Sequence, residues 1–302
     1  VAVDSSDRVY VYCRGDHPVI VFDKDGKFLD AWGEDDFSRP HGIYISAKDE
    51  VFLVDDEGHS VFKYDLDGNR QMRIGGAKSE TGFERGASPV MQSAGPFNEV
   101  TNVALAPDGR IYAADGYGNA RVHCFSPEGT LLNTWGEQGN DFGEFNLPHG
   151  IGVDSQGQVY VCDRENSRIQ IFSGDGEFQR VWDWVSRPTD IFIDAEDTIY
   201  IAELGFVIAK PSLHFRNCFY PKPGHDPIAR VSVCNPDGEI IKQIGGHEAV
   251  LPGNFIAPHG LWVDSEGSLY VGEVSQTSGG ARHHCPEDPL NARCFQKFIR
   301  RG

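Results

Sequence analysis

Basic residues are scarce in this chain: 27 Lys and Arg stand against 45 Asp and Glu, a formal net charge of −18. That balance repels polyanions, so nucleic acid and anionic membrane surfaces are excluded as expected partners. Long apolar runs are also missing. None reaches the length of a membrane span, and no signal-peptide pattern is present, so no compartment can be assigned. No stretch keeps a helical period, which excludes a helix-built architecture. Cysteine is limited to seven, an odd number. Cys13, Cys124 and Cys162 sit within strand patterns where a buried thiol is expected. Cys218 with Cys234, or Cys285 with Cys294, are the pairings left open.

What the chain does have is a repeat. A strand of type Gly-Ile-x-Val-Asp is followed by x-Val-Tyr-Val-x-Asp, then by a third strand ending in Phe-x-x-Asp-Gly and a fourth ending in Trp-Gly or Gly-Gly. The second strand aligns most easily: Val9-Tyr10-Val11, Val51-Phe52-Leu53, Ile111-Tyr112-Ala113, Val159-Tyr160-Val161, Ile199-Tyr200-Ile201 and Leu269-Tyr270-Val271. Six copies of four short period-two strands, punctuated by Asp-Gly and Glu-Gly turns, predict an all-β, six-bladed β-propeller occupying residues 1–302 as one domain. The text begins inside a first strand at Val1 and ends on a third strand, 294–299. The sixth blade is therefore expected to take its closing strand from residues upstream of Val1.

Pro-His-Gly occurs three times, at 40–42, 148–150 and 258–260. The histidines are 108 and 110 residues apart, too far for a local metal motif. The repeat changes that. Alignment of first strands puts His41, Thr101, His149, Thr189 and His259 at one position in blades two to six. Histidine thus occupies alternate blades, about 120° apart, and three imidazoles would converge at the channel mouth with a fourth position open. That is the donor set of a catalytic zinc site. Proline would fix the strand entry, and glycine would leave backbone room for the ligand.

Loops after the second strands face the same mouth and diverge sharply. They carry Arg14, Tyr117 and Arg164. Two guanidinium groups beside a metal suit an anionic substrate, and a tyrosine there can serve as a general base. Each also has a plain structural use: Arg14 can pair with Asp16, Arg164 with Asp163 or Glu165, and Tyr117 can be a turn aromatic. His17 and His59 start third strands and read as structural. The insertion from Phe206 to Ile228, with His214 and His225, reads as a lid or rim. His283-His284 beside Cys285 lacks a partner pair at ligand spacing. Residues 76–96 read as a flexible connector.

Arg-Gly-Asp-His at 14–17, Asp-Gly-Tyr-x-Asn-x-Arg at 115–121, Trp-Gly-Glu at 135–137 and Asp-Arg-Glu-Asn-x-Arg-Ile-Gln at 163–170 join the Pro-His motifs in one order. In that order the chain resembles peptidyl-α-hydroxyglycine α-amidating lyase, an NHL-repeat propeller family. The resemblance implies zinc on His41, His149 and His259, Tyr117 as catalytic base, Arg14 as carboxylate anchor and Arg164 as support for Tyr117. It implies a lyase that splits a carbinolamide, a small-molecule or peptide-like substrate, into an amide and glyoxylate. The family's structural calcium would fall at Val1, Ile43 and Gly260, and glycine in place of the acidic residue makes calcium a weaker expectation there than zinc on the histidines. The family's disulfide cysteines are also absent, with Gly118, Tyr160 and Ile171 in their places. Two rivals stand beside the lyase: a metal-dependent propeller hydrolase, and a non-catalytic propeller that binds a ligand or protein. Oligomeric state is not readable.

Overall fold

The computed structural model describes residues 1–205, 228–275 and 293–300. The insertion at 206–227, the segment 276–292 with His283 and His284, and the cysteines Cys218 and Cys285 lie outside them. Among the described residues the period-two segments form six antiparallel sheets, five of four strands and one of three, as the repeat predicts. The inner strands are Ala2–Val3, Pro40–Ile45, Val100–Leu105, Pro148–Val153, Pro188–Ile193 and Pro258–Val263. Each touches the next in cyclic order, the last returning to the first. The sheet holding Pro258–Val263 ends on Phe295–Phe298, its third strand.

Successive side chains point to opposite faces, and continuous burial along second strands such as Val51–Asp55, Ile111–Asp115 and Val159–Asp163 leaves each blade packed on both faces, which neighbouring blades bury against each other. Five seams carry seven to twelve buried apolar side chains each. The seam between blades six and one has only Val3, Val9 and Tyr270. Polar contacts supplement it: Ser265 donates from its backbone N and its Oγ to Asp7 at 3.0 and 2.7 Å, and Lys24 pairs with Glu266 at 2.6 Å.

The acid ending each second strand has a use that positions the mouth. Asp55, Asp115, Asp163, Glu203 and Glu273 are buried, and each accepts a backbone N–H from the loop that enters its blade's inner strand. In blade one the corresponding residue is Cys13, a free, partly buried thiol. Cys124, Cys162 and Cys234 are buried free thiols. Residues 76–96 do more than connect. Thr81 Oγ donates to Gly118 O at 2.6 Å and accepts from Asn98 Nδ2 at 2.6 Å, which fastens this segment beside the mouth.

Candidate metal centre

His41, His149 and His259 meet at one end of the channel. Their ring centroids lie 5.0, 5.1 and 4.6 Å apart, and their ligand nitrogens all fall within 4.8 Å of one another. Each histidine sits where the ladder between first and second strands slips. Pairing jumps from Pro40 to Ile43, from Pro148 to Ile151 and from Pro258 to Gly260. A bulge at that point turns the side chain out of the strand's alternation and toward the axis.

Glycine in the motif has a different purpose from the one expected. A Cβ on Gly42 would lie 2.8 Å from Thr101 O, and one on Gly150 would lie 2.8 Å from Thr189 O. Those two carbonyls are the acceptors of the histidines: His41 Nδ1 is 2.6 Å from Thr101 O, and His149 Nδ1 is 2.6 Å from Thr189 O. The glycine lets the next blade's backbone approach closely enough to orient the imidazole, rather than making room for a ligand.

That orientation fixes the proton. A carbonyl only accepts, so Nδ1 carries the hydrogen and Nε2 presents a lone pair in both rings. Burial, followed by the nearby Arg14, pushes the His41 pKa down to about 3. Burial, then Arg164, lowers His149 well below its usual range, and burial with His41 does the same for His259. All three rings are neutral donors near neutral pH.

Tyr117 completes the cluster. Its hydroxyl is 3.0 Å from His41 Nε2 and 3.1 Å from His149 Nε2. A phenol has one proton and can satisfy only one of these lone pairs, leaving another lone pair facing oxygen. A cation among the nitrogens removes that conflict. If the nitrogens formed a triangle with sides at the 4.8 Å limit, each would lie about 2.8 Å from the centre, and a contraction of under about 1 Å reaches the 2.0–2.1 Å of a metal–imidazole bond. The donor set therefore fits a metal that favours imidazole.

Backbone contact brings Tyr117 there. A Cβ on Gly116 would lie 1.8 Å from Pro148 O, so only glycine lets this turn lie against blade four. Arg164, in the short 3-10 turn Arg164–Asn166, is buried with its Cζ 5.6 Å from the Tyr117 ring. Glu165 bonds Arg164 Nε at 2.7 Å and Arg187 at 3.0 and 3.1 Å. Burial would raise the Glu165 carboxyl, but Arg187 and Arg164 outweigh it and hold it at about 2. Arg14 is at the rim with Nε donating to Pro40 O at 3.0 Å, and its expected alternative partner Asp16 is not engaged. Together with His41 and His259 it lines a cavity of about 360 Å³.

Several mouth residues were not anticipated. Arg39 and Arg85 lie over the Tyr117 ring at 5.9 and 5.6 Å. Arg85 pairs with Glu99, and Arg39 Nη1 stands 3.0 Å from Asp56. Asp56 follows its second strand just as Arg14 and Arg164 follow theirs, and that shared position was the available signal. Arg85 belongs to no repeat and had none. Lower in the channel, Gly260 meets no carboxylate of its own, but Asp190 of the neighbouring blade reaches within 3.7 Å of where its Cβ would be.

The NHL repeat family matches residues 145–172, the heart of blade four. Human NHL repeat-containing protein 3 is 30% identical over 97% of this chain and 79% of its own length. The chain belongs to that family. The chain is also similar over a shorter stretch to amidating enzymes: peptidyl-alpha-hydroxyglycine alpha-amidating lyase 1 of Drosophila melanogaster is 33% identical over 51% of this chain, which spans 29% of that enzyme. Among solved structures, a streptogramin B lyase superposes with a TM-score of 0.55 over 89% of this chain and 74% of its own. At 15% identity that likeness speaks for the propeller fold alone. No helix among the described residues is long and apolar enough to cross a membrane.

Proposed function

We propose that this chain is a zinc-dependent lyase that cleaves the C–N bond of a small carbinolamide bearing a carboxylate. The observation that carries the reading is the phenolic oxygen of Tyr117 held between two lone-pair-bearing imidazoles that leave one contact for a cation. His41, His149 and His259 would hold the zinc, which when bound supplies electrophilic polarisation of a substrate oxygen.

The remaining chemistry belongs to side chains. Arg14 has no carboxylate partner among the described residues and can receive the substrate carboxylate at the rim. That anchors the hydroxylated carbon beside Tyr117. The Tyr117 oxygen, having first released its own proton to solvent, takes the hydroxyl proton, the C–O bond becomes a carbonyl, and the C–N electron pair leaves with nitrogen. The same proton then passes to nitrogen, giving an amide and an oxo acid and returning Tyr117 to its starting state. Arg164, fixed by Glu165, keeps positive charge against the ring while the oxygen is negative.

The decisive test is a candidate carbinolamide, N-acyl-α-hydroxyglycine, supplied to the zinc-loaded protein in ¹⁸O-labelled water and quenched before carbonyl exchange. A lyase gives an oxo acid whose oxygen comes from the substrate, whereas a hydrolase incorporates solvent oxygen. Metal analysis provides the second arm. Wild type should hold about one equivalent of zinc and a His41→Ala/His149→Ala variant none. Equal zinc in both, or no turnover by the loaded wild type, overturns the reading.

A further inference from the structure

Two guanidinium groups stand together at the mouth with donors unmet. Arg14 Nε reaches Pro40 O, which places its head group against the residue that separates Arg39 from His41. Arg39 Nη1 is buried and makes no hydrogen bond. Two carboxylates are near it, Asp56 at 3.0 Å and Glu57 at 3.6 Å, but neither is aligned to accept. Asp56 is fully buried, and neither of its oxygens accepts a hydrogen bond. Like charges packed this closely repel: partial desolvation first, and then Arg39, lower the Arg14 pKa. A single unbonded carboxylate cannot fill two planar forks, each shaped to hold a carboxylate through parallel N–H bonds. The shared direction of both arginines is the mouth, since Arg14 lines the cavity with His41 and His259 while Arg39 lies over the Tyr117 ring.

We propose that Arg14 and Arg39 form a carboxylate clamp beside the metal centre, and that the substrate is a dicarboxylate. One carboxylate adjoins the hydroxylated carbon and the second lies on the acyl side. Asp56 is the clamp's internal counter-charge, holding Arg39 in place without saturating it and competing weakly with the incoming anion. The assignment rests on the lyase reading only for the identity of the reacting carbon; the clamp itself is a binding site.

Calorimetric titration of the full chain, zinc-loaded and zinc-free, at pH 8 tests it with succinate, malonate and the monoacid butyrate as probes. At least one of the two diacids should bind about 10- to 100-fold more tightly than butyrate, the range expected for one added charge-assisted carboxylate contact. Arg39→Gln should bring that diacid down to the level of butyrate while leaving butyrate within about twofold of wild type. Asp56→Asn, which removes the competing charge, should tighten diacid binding several-fold, a gain that misfolding cannot produce. The clamp is refuted if neither diacid exceeds butyrate with wild type, if Arg39→Gln weakens all probes alike, or if Asp56→Asn weakens the diacid. Because binding is read without turnover, failure of the clamp and failure of the lyase remain separate results.

Discussion

Gly150→Ala is a small change whose consequence the ring geometry makes large. The added methyl would sit 2.7 Å from Asp190 Cα and 2.8 Å from Thr189 O, both backbone atoms of the next blade, which cannot rotate away. Blades four and five must separate by several tenths of an ångström, a mismatch of the size that costs about 1–3 kcal/mol in packed interiors. The displaced carbonyl is the one that His149 Nδ1 contacts at 2.6 Å. Loss of such an outer partner typically weakens metal binding about 10- to 100-fold. Gly260→Ala is the control: it has the same motif position, but the nearest atom to its new methyl is Val1 N at 3.5 Å, an ordinary contact. Zinc affinity by chelator competition, with urea unfolding alongside, should show a deficit in Gly150→Ala and near wild-type values in Gly260→Ala. Equal behaviour of the two variants would refute the claim that glycine serves blade approach.

Tyr117→Phe should keep its zinc, since the imidazole nitrogens do not depend on the phenol, yet lose about 10²- to 10⁴-fold in carbinolamide turnover; parallel metal analysis and rate measurement check both halves. Glu165 has a folded pKa of about 2, depressed from an unfolded value near 4.3. Its contribution is therefore fully present above about pH 4.3 and is lost as pH falls toward 2, a change of the order of 3 kcal/mol. Urea midpoints taken from pH 6 to pH 3 should fall in wild type, and Glu165→Gln should flatten this component while starting about 3–5 kcal/mol lower, because two buried guanidinium groups lose their partner. Ser265→Ala and Ser155→Ala remove equivalent hydroxyl bonds, to Asp7 at 2.7 Å and to Asp197 at 2.6 Å. Each should cost about 0.5–1.5 kcal/mol, but only Ser265→Ala should speed amide exchange along Pro258–Val263, because its seam holds three buried apolar residues against ten in the other.

The ring was legible because repetition makes register visible. Six aligned second strands fix which residue of every inner strand faces the axis, and the alternation of His41, Thr101, His149, Thr189 and His259 follows from that register. The threonines read there as blanks are part of the site: their carbonyls choose the tautomer of the two preceding histidines. Such a backbone role leaves no mark in residue identity. Arg39 was missed for a related reason. It precedes Pro-His-Gly at a position occupied elsewhere by Glu99, Leu147, Arg187 and Ala257, so no pattern singled it out. Arg85 comes from the connector at 76–96, whose length and composition do not reveal that it folds back over the mouth.

Repetition and divergence divide the work within each blade. The inner strand repeats closely and builds a threefold set of imidazoles from a sixfold ring. The position just after the second strand repeats least: Arg14, Asp56, Gly116 before Tyr117, Arg164, Leu204 and Val274 in blades one to six. Blades one to four therefore bring the phenol and the charged groups to the mouth, while five and six contribute an apolar residue at that position. A symmetric metal site thereby acquires one charged side, and Arg14, Arg39 and Tyr117 all belong to it. An anionic group entering the mouth meets Arg14 and Arg39 from the adjacent blades one and two, which orients it before any contact with the metal. Moving the charge of Arg14 two blades, about 120°, round the ring, as in Arg14→Gln combined with Leu204→Arg, should therefore retain zinc and the mouth's overall charge while abolishing the preference for diacids. If the preference survived the swap, net charge alone would explain it and the geometric argument would fail.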